Sequence, residues 1–416
     1  MATATSAPTR PSRPSRPSLA GRLRSLPVLF TLLAVLIFIF YQFVLGGLIA
    51  PVQTFVGEWL PMSTINQCVI WAMLAIGLNI VVGYAGLLDL GYVAFWAIGG
   101  YVAGWLMSPF FAQWKVNVFG TAAAGLETGI HLNFWLVLPI GAAFCALWGV
   151  LIGAPTLRLK SDYLALVTLG FGEIIPEVFR NGEDVNGFNL SNGSKGITPI
   201  DAIPTGPFHF LPGIPVNLGP FDDNLRYLVY ALLAAFAIFV SLRIRVGRLG
   251  RAWLAIREDE LAASMMGVPL MRTKLAAYAV GAAIGGLGGV AWATLVNGVS
   301  SEDFQFANSI ILLAMVVLGG MGNVWGVLVG ALVLSWINST GLHQLGTSFN
   351  NTFGTSIDFP SYNFFIFGAL LILMMLFRRE GLLPEARTRQ VLQEPERGEV
   401  ESVGAELEGL EGTVSR

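Results

Sequence analysis

The sequence predicts an all-α, polytopic transmembrane bundle of about eight to ten spans, and three observations carry that expectation. Of its 416 residues, 54% are hydrophobic and 12% charged, with a mean hydropathy of +0.67, too apolar for a soluble domain and its polar skin. Apolar runs of membrane-spanning length recur along the chain; a hydrocarbon core of about 30 Å takes about 20 helical residues, and these runs lack the strict alternation of a barrel strand. Lys and Arg are distributed unevenly between the intervening segments, as expected of a multi-pass protein.

The ten candidate spans centre on residues 28–50, 64–82, 91–111, 134–154, 163–179, 225–242, 275–297, 305–318, 323–340 and 362–377. The eighth is short, and Gly319-Gly-Met-Gly322 after it suits a broken or re-entrant helix. Alternating the spans from an inside N-terminus places 20 of the 24 Lys and Arg inside, so both termini and the 250–267 segment are expected on the cytoplasmic face.

Both tails read as solvated. Residues 1–27 carry Arg10, Arg13, Arg16, Arg22 and Arg24 among Pro and Ser; the apolar run that follows is too long for a signal peptide and lacks a small-residue cleavage site. Residues 381–416 are acidic and almost free of aromatics, an expected disordered tail. Residues 28–380 form the expected membrane-embedded domain. The loop at 181–224 faces outside, and its Gly, Pro and Phe188, Phe208, Phe210 and Phe221 suggest a partly folded cap.

Several groups could line a solute path. The Gly-rich stretch after Asn79 holds Gly86, Asp89 and Tyr92, and Tyr101 lies further on; glycine permits close approach or local unwinding at membrane depth, while the preferred reading of Asp89 by itself is a cap on the next helix. Glu173, with Thr168 on the same span, is an acid inside an apolar stretch. Such an acid costs about 2.5–3.5 kcal/mol on insertion scales and is expected to face the bundle interior or a partner. Interhelical hydrogen bonding is the default role for Asn79, with Thr64, Asn66 and Gln67 on the same helix side.

The 250–267 segment reads differently. Trp253, Leu254, Ile256, Leu261, Met265 and Met266 alternate with Arg257, Glu258, Asp259 and Glu260, and Gly267 with Pro269 ends an amphipathic helix. Three consecutive acids would be repelled by anionic lipid, so a protein groove is the expected seat. There is no phosphate-binding Gly-x4-Gly-Lys-Ser/Thr loop, no Gly-x-Ser-x-Gly elbow and no His-Glu-x-x-His pair, so energy from ATP would have to come through another subunit. Cys68 and Cys145 read as buried small hydrophobes. His131, His209 and His343 are scattered, so neither metal nor cofactor is expected.

At this point the chain resembles the permeases of branched-chain amino acid ABC transporters, in particular their LivM-type subunit. The likeness rests on Gly83-Tyr-Ala-Gly-Leu-Leu-Asp-Leu-Gly-Tyr-Val-Ala-Phe95, on residues 157–173, on residues 317–330 and on Arg379-Glu-Gly-Leu-Leu383. In that family a cytoplasmic Glu-Ala-Ala-x3-Gly helix docks the ATPase; here Leu261, Ala262, Ala263 and Gly267 resemble it, with Leu261 at the Glu position and Glu260 one residue earlier. The resemblance implies Arg257, Glu260, Leu261, Ala262, Ala263 and Gly267 as coupling residues. It implies as partners ABC ATPase subunits, a second, LivH-type permease and an extracytoplasmic solute-binding protein, in the inner or plasma membrane and without nucleic acid. A urea or short-chain amide permease of the same superfamily, an ion-coupled transporter working through Glu173 or Asp89, and a structural scaffold are the alternatives.

Overall fold

The computed structural model describes residues 26–47, 49–121, 127–159, 161–205, 217–218, 222–377 and 381–383. Nearly all of both expected tails, Lys160, and Phe208, His209, Phe210 and Phe221 of the outer loop lie outside the described residues.

The bundle consists of α1 (Leu26–Ile39), α2 (Ala50–Trp59), α3 (Met62–Asn79), α4 (Val93–Leu106), α5 (Phe134–Thr156), α6 (Ser161–Arg180), α7 (Asp223–Val246), α8 (Arg248–Glu258), α9 (Glu260–Met265), α10 (Leu270–Val296), α11 (Phe306–Gly319), α12 (Val324–Trp336), α13 (Leu342–Phe353) and α14 (Asn363–Phe377). Every expected span overlaps at least one of these helices. Five stretches are long and apolar enough to cross a membrane: Ala50–Tyr84, Phe134–Thr156, Asp223–Val246, Leu270–Val296 and Val324–Phe353. Phe30–Val44, Val93–Leu106, Phe306–Gly319 and Phe359–Met374 are shorter apolar helices. The end carrying α8 and α9 is called the inner end here, after the charge distribution.

At the centre lies α10, against α3, α4 and α5. Its small residues make that possible. A Cβ on Gly286 would sit 2.7 Å from Cys145 Sγ, and one on Gly99 would sit 2.4 Å from the Gly286 carbonyl, so backbones meet here at a distance no larger residue allows. Trp71, Trp96 and Trp292 fill the adjoining space edge to face, with centroids 5.1 to 6.5 Å apart. Cys68 and Cys145 are free and buried.

The helices are interrupted where the sequence has Gly or a competing side chain. After α3 a π-turn at Ile80–Tyr84 runs into an irregular stretch before α4. The glycines at 319–322 form a tight hairpin between α11 and α12, with Gly320 at φ 110° and Gly322 at φ 87°. The expected single amphipathic helix at 251–266 is instead two helices. Asp259 takes extended backbone (φ −154°, ψ 110°) and its Oδ1 accepts from the Leu261 and Ala262 amides at 2.8 and 2.9 Å, capping α9 and stopping α8.

At the outer end the chain adds short strands that period-2 reading did not reveal: β1 (Met107–Ser108), β2 (Lys115–Val118) and β3 (Gly129–Leu132) pair in the order β1-β3-β2, and β4 (Ile203–Pro204) pairs with β5 (Asn217–Leu218). His131 Nδ1 lies 3.0 and 2.9 Å from the two Asp201 carboxylate oxygens, tying this sheet to the 181–224 loop. Burial raises Asp201 above the usual carboxylate range against the opposing pull of the His131 bond.

Candidate functional site

Four stretches distant in sequence converge at the inner end. Asn79 Oδ1, at the end of α3, accepts from the Gly322 amide at 2.9 Å, joining α3 to the α11–α12 hairpin. Residues 381–383 close the other side of that hairpin: Leu382 N donates to Leu318 O at 2.8 Å and Leu383 N to Gly319 O at 3.2 Å. Two of the stretches that carry the family resemblance, 317–330 and 379–383, therefore meet directly.

Onto this base α8 and α9 are fastened at three points. Trp253 is fully buried and its Nε1 donates to Thr273 O at 2.7 Å, at the start of α10. Arg257 Nη1 donates to Gly83 O at 2.5 Å, and the Arg257 stem lies against Gly86, where an added Cβ would be 2.9 Å from its Cγ. Gly86 has φ +69°, so the turn needs glycine both for its backbone and for this contact. The third point is Lys274 of α10, whose Nζ lies 2.6 Å from Glu260 Oε1.

What remains outward on α9 is an apolar ridge, with Glu258, Asp259 and Glu260 exposed beside it. Leu261, Met265 and Met266 are 66%, 76% and 86% exposed, while Ala263 between them is buried. Ala262 and Gly267 are exposed on the same turn, with Gly267 at φ +83° in open space. Beside α8 a cleft of about 190 Å³ runs between the Gly86 turn, the α5–α6 connection and α10; Leu87, Leu157, Leu164 and Ile256 wall it, and Arg257, Glu260 and Lys274 give it both signs of charge.

The residues expected along a path are placed less uniformly. Asp89 is buried, its Oδ1 accepting from Gly91 N at 2.9 Å while Oδ2 has no partner among the described residues. Tyr92 donates to Gly281 O at 2.8 Å. Thr168 Oγ1 accepts from Leu90 N at 3.1 Å and Gly91 lies against the Thr168 backbone, so α6 leans on the 89–92 stretch. Tyr101 stacks on Phe179 with centroids 3.7 Å apart, holding the outer part of α6 to α4. Glu173 does not join them. Instead of facing the bundle interior it sits on the exposed side of α6. The sequence also did not single out Lys274, whose burial shows only once α10 is placed against α9.

Residues 60–375 match the family model described as the branched-chain amino acid transport system permease component. The chain belongs to that permease family. Over 338 residues the permease is 36% identical to the high-affinity branched-chain amino acid transport system permease protein LivM of Escherichia coli K12, covering 78% of this chain and 70% of that protein. It is 36% identical to the LivM of Salmonella typhimurium over 342 residues, covering 79% and 71%. LivH of Escherichia coli K12 is 23% identical over 325 residues, covering 77% of this chain and 93% of LivH. No solved structure matches this permease. It is a LivM-type, multi-pass transport subunit, as the sequence motifs led one to expect.

Proposed function

We propose that this permease translocates branched-chain amino acids delivered by an extracytoplasmic binding protein, driven by separate ATPase subunits that dock on α8 and α9 from the cytoplasm. The observation that carries the reading is the exposed Leu261, Met265 and Met266 ridge on a turn whose other side is fastened at three points to α10 and the Gly83–Gly86 turn. A ridge of that kind is costly in water and of use against a partner's groove. Its anchors give a push on α9 two outlets: Trp253 and Lys274 carry it to α10, and Arg257 carries it to the Gly83–Gly86 turn between α3 and α4.

In this reading Asn79, Gly86, Asp89 and Tyr92 belong to the hinge that the coupling segment grips, and Tyr101 and Thr168 hold α6 beside the path. Both termini are cytoplasmic, and the second permease is of the LivH type. The names of the LivM and LivH relatives support the substrate class and the pairing.

The test is uptake of radiolabelled leucine, with urea as comparison, in vesicles holding this chain, its permease partner, ATPases and binding protein. ATP-dependent leucine accumulation is expected. ATP-dependent urea accumulation would change the substrate alone, and gradient-driven flux without ATP would overturn the docking role of α8 and α9.

A further inference from the structure

On α6 the inward residues are Leu164, Ala165, Thr168, Gly172 and Phe179, and the opposite side exposes Leu166, Glu173, Ile174 and Glu177. Glu177 is satisfied at the outer end by Arg180 and Asn181. Glu173 has no partner among the described residues. By a rise of 1.5 Å per residue it lies roughly 10 Å from Arg180 along α6, toward the middle of the expected span. The exposed sides of other spans look different: α7 shows Leu228, Leu232, Phe236 and Phe239, a surface suited to lipid.

From this contrast we infer that the outward side of α6, from Leu166 through Gly170 to Glu173 and Ile174, is the seam on which a second permease chain of this same fold packs. A carboxylate directed at lipid costs about 2.5–3.5 kcal/mol on insertion scales, so this side is covered by protein presenting a basic or hydrogen-bond-donating group to Glu173. Gly170 is shaped for it. A Cβ there would meet nothing within 4 Å, so the glycine is open on the same side and lets a neighbouring helix come close. The occupant is a second permease because LivM and LivH, two permeases of one named transport system, both align with more than three quarters of this chain. The inference rests on the heteromeric reading above.

Cys68 and Cys145 are buried, so a new surface cysteine is an addressable handle. Leu166→Cys and Ile174→Cys, each labelled with benzophenone maleimide in membranes carrying the complete transporter, are irradiated beside Phe239→Cys and the unsubstituted chain. A product containing both permease chains is expected from the two α6 variants at least fivefold above the Phe239→Cys and unsubstituted controls. Lipid adducts alone from α6, or equal two-permease product from Phe239→Cys, would overturn the seam. Adding Glu173→Leu to Ile174→Cys is expected to lower that product several-fold, with Glu173→Gln retaining more of it; an unchanged or higher yield with Glu173→Leu means lipid faces the acid and overturns the proposal. The same membranes report ATP-driven leucine uptake by unlabelled transporter. Uptake without an α6 product sinks the seam alone, whereas an α6 product without uptake supports the seam and counts against the substrate.

Discussion

Glu260 Oε1 lies 2.6 Å from Lys274 Nζ, and this pair turns inward the carboxylate nearest the position where the family's docking helix has its acid. Lys274, on the first turns of α10, is only 8% exposed, so its bond to the acid holds α9 down. Leu261, in the family's Glu position, points out instead. The docking contact proposed for this chain is therefore apolar at its centre, with Met265 and Met266 extending it.

Leu261→Asp combined with Met265→Asp should cut ATP-driven uptake at least tenfold and reduce ATPase copurification, with the amount of permease in the membrane unchanged. Both side chains are exposed, so folding loses little. Normal copurification by the double variant would remove the ridge from the docking surface.

Breaking the Glu260–Lys274 pair from its two ends should have unequal effects. Glu260→Gln leaves a nearly buried ammonium without its counter-charge, whereas Lys274→Met leaves a half-exposed carboxylate that water can reach. Because Glu260 is 53% exposed, the larger effect is discounted to about 1–2 kcal/mol. Thermal melting of the detergent-purified permease checks the order. Lys274→Met melting below Glu260→Gln would contradict it.

The bundle was legible in the sequence because hydrocarbon imposes length and apolarity on every span separately. All ten expected spans overlap helices, five of the stretches being long and apolar enough to cross a membrane. The helical character of the 250–267 segment was legible from its charges and its Gly stop, but its break was not: a polar run with one helical period conceals that Asp259 caps a second helix. Orientation within a span was least legible. Glu173 and Asp89 are both acids in apolar surroundings, and only the packing of Gly91 and Gly172 at the α6 crossing turns one inward and the other out. The outer strands are too short, two to four residues, for an alternating pattern to register.

Gly86→Ala should impair transport through two separable causes. An L-residue at φ +69° costs about 1–2 kcal/mol of backbone strain, and its Cβ would press on Arg257 Cγ from 2.9 Å. Adding Arg257→Ala relieves the contact but not the strain, and it also removes the bond to Gly83 O. Uptake by the double variant should therefore stay below that of Arg257→Ala alone, while Gly86→Ala alone falls at least threefold. Full uptake by Gly86→Ala would show that the turn does not grip the coupling segment.

Asp303 at the outer end gives a pH test whose sign is fixed by burial. Desolvation raises its carboxyl above the usual range, the Ser300 amide opposes this, and Glu302 adds to it. The folded protein thus holds the proton more tightly than the unfolded chain. That contribution is fully present below the unfolded carboxylate range, about pH 4, and is lost as pH rises through the raised folded value. Asp303→Asn keeps an oxygen that can accept from Ser300 N but cannot ionise, so it escapes the loss. The melting temperature of Asp303→Asn relative to the unsubstituted permease should therefore climb between about pH 4 and pH 7. A difference that stays flat or falls over that range would mean the carboxylate is stabilised where it stands, and that the Ser300–Asp303 cap draws strength from charge.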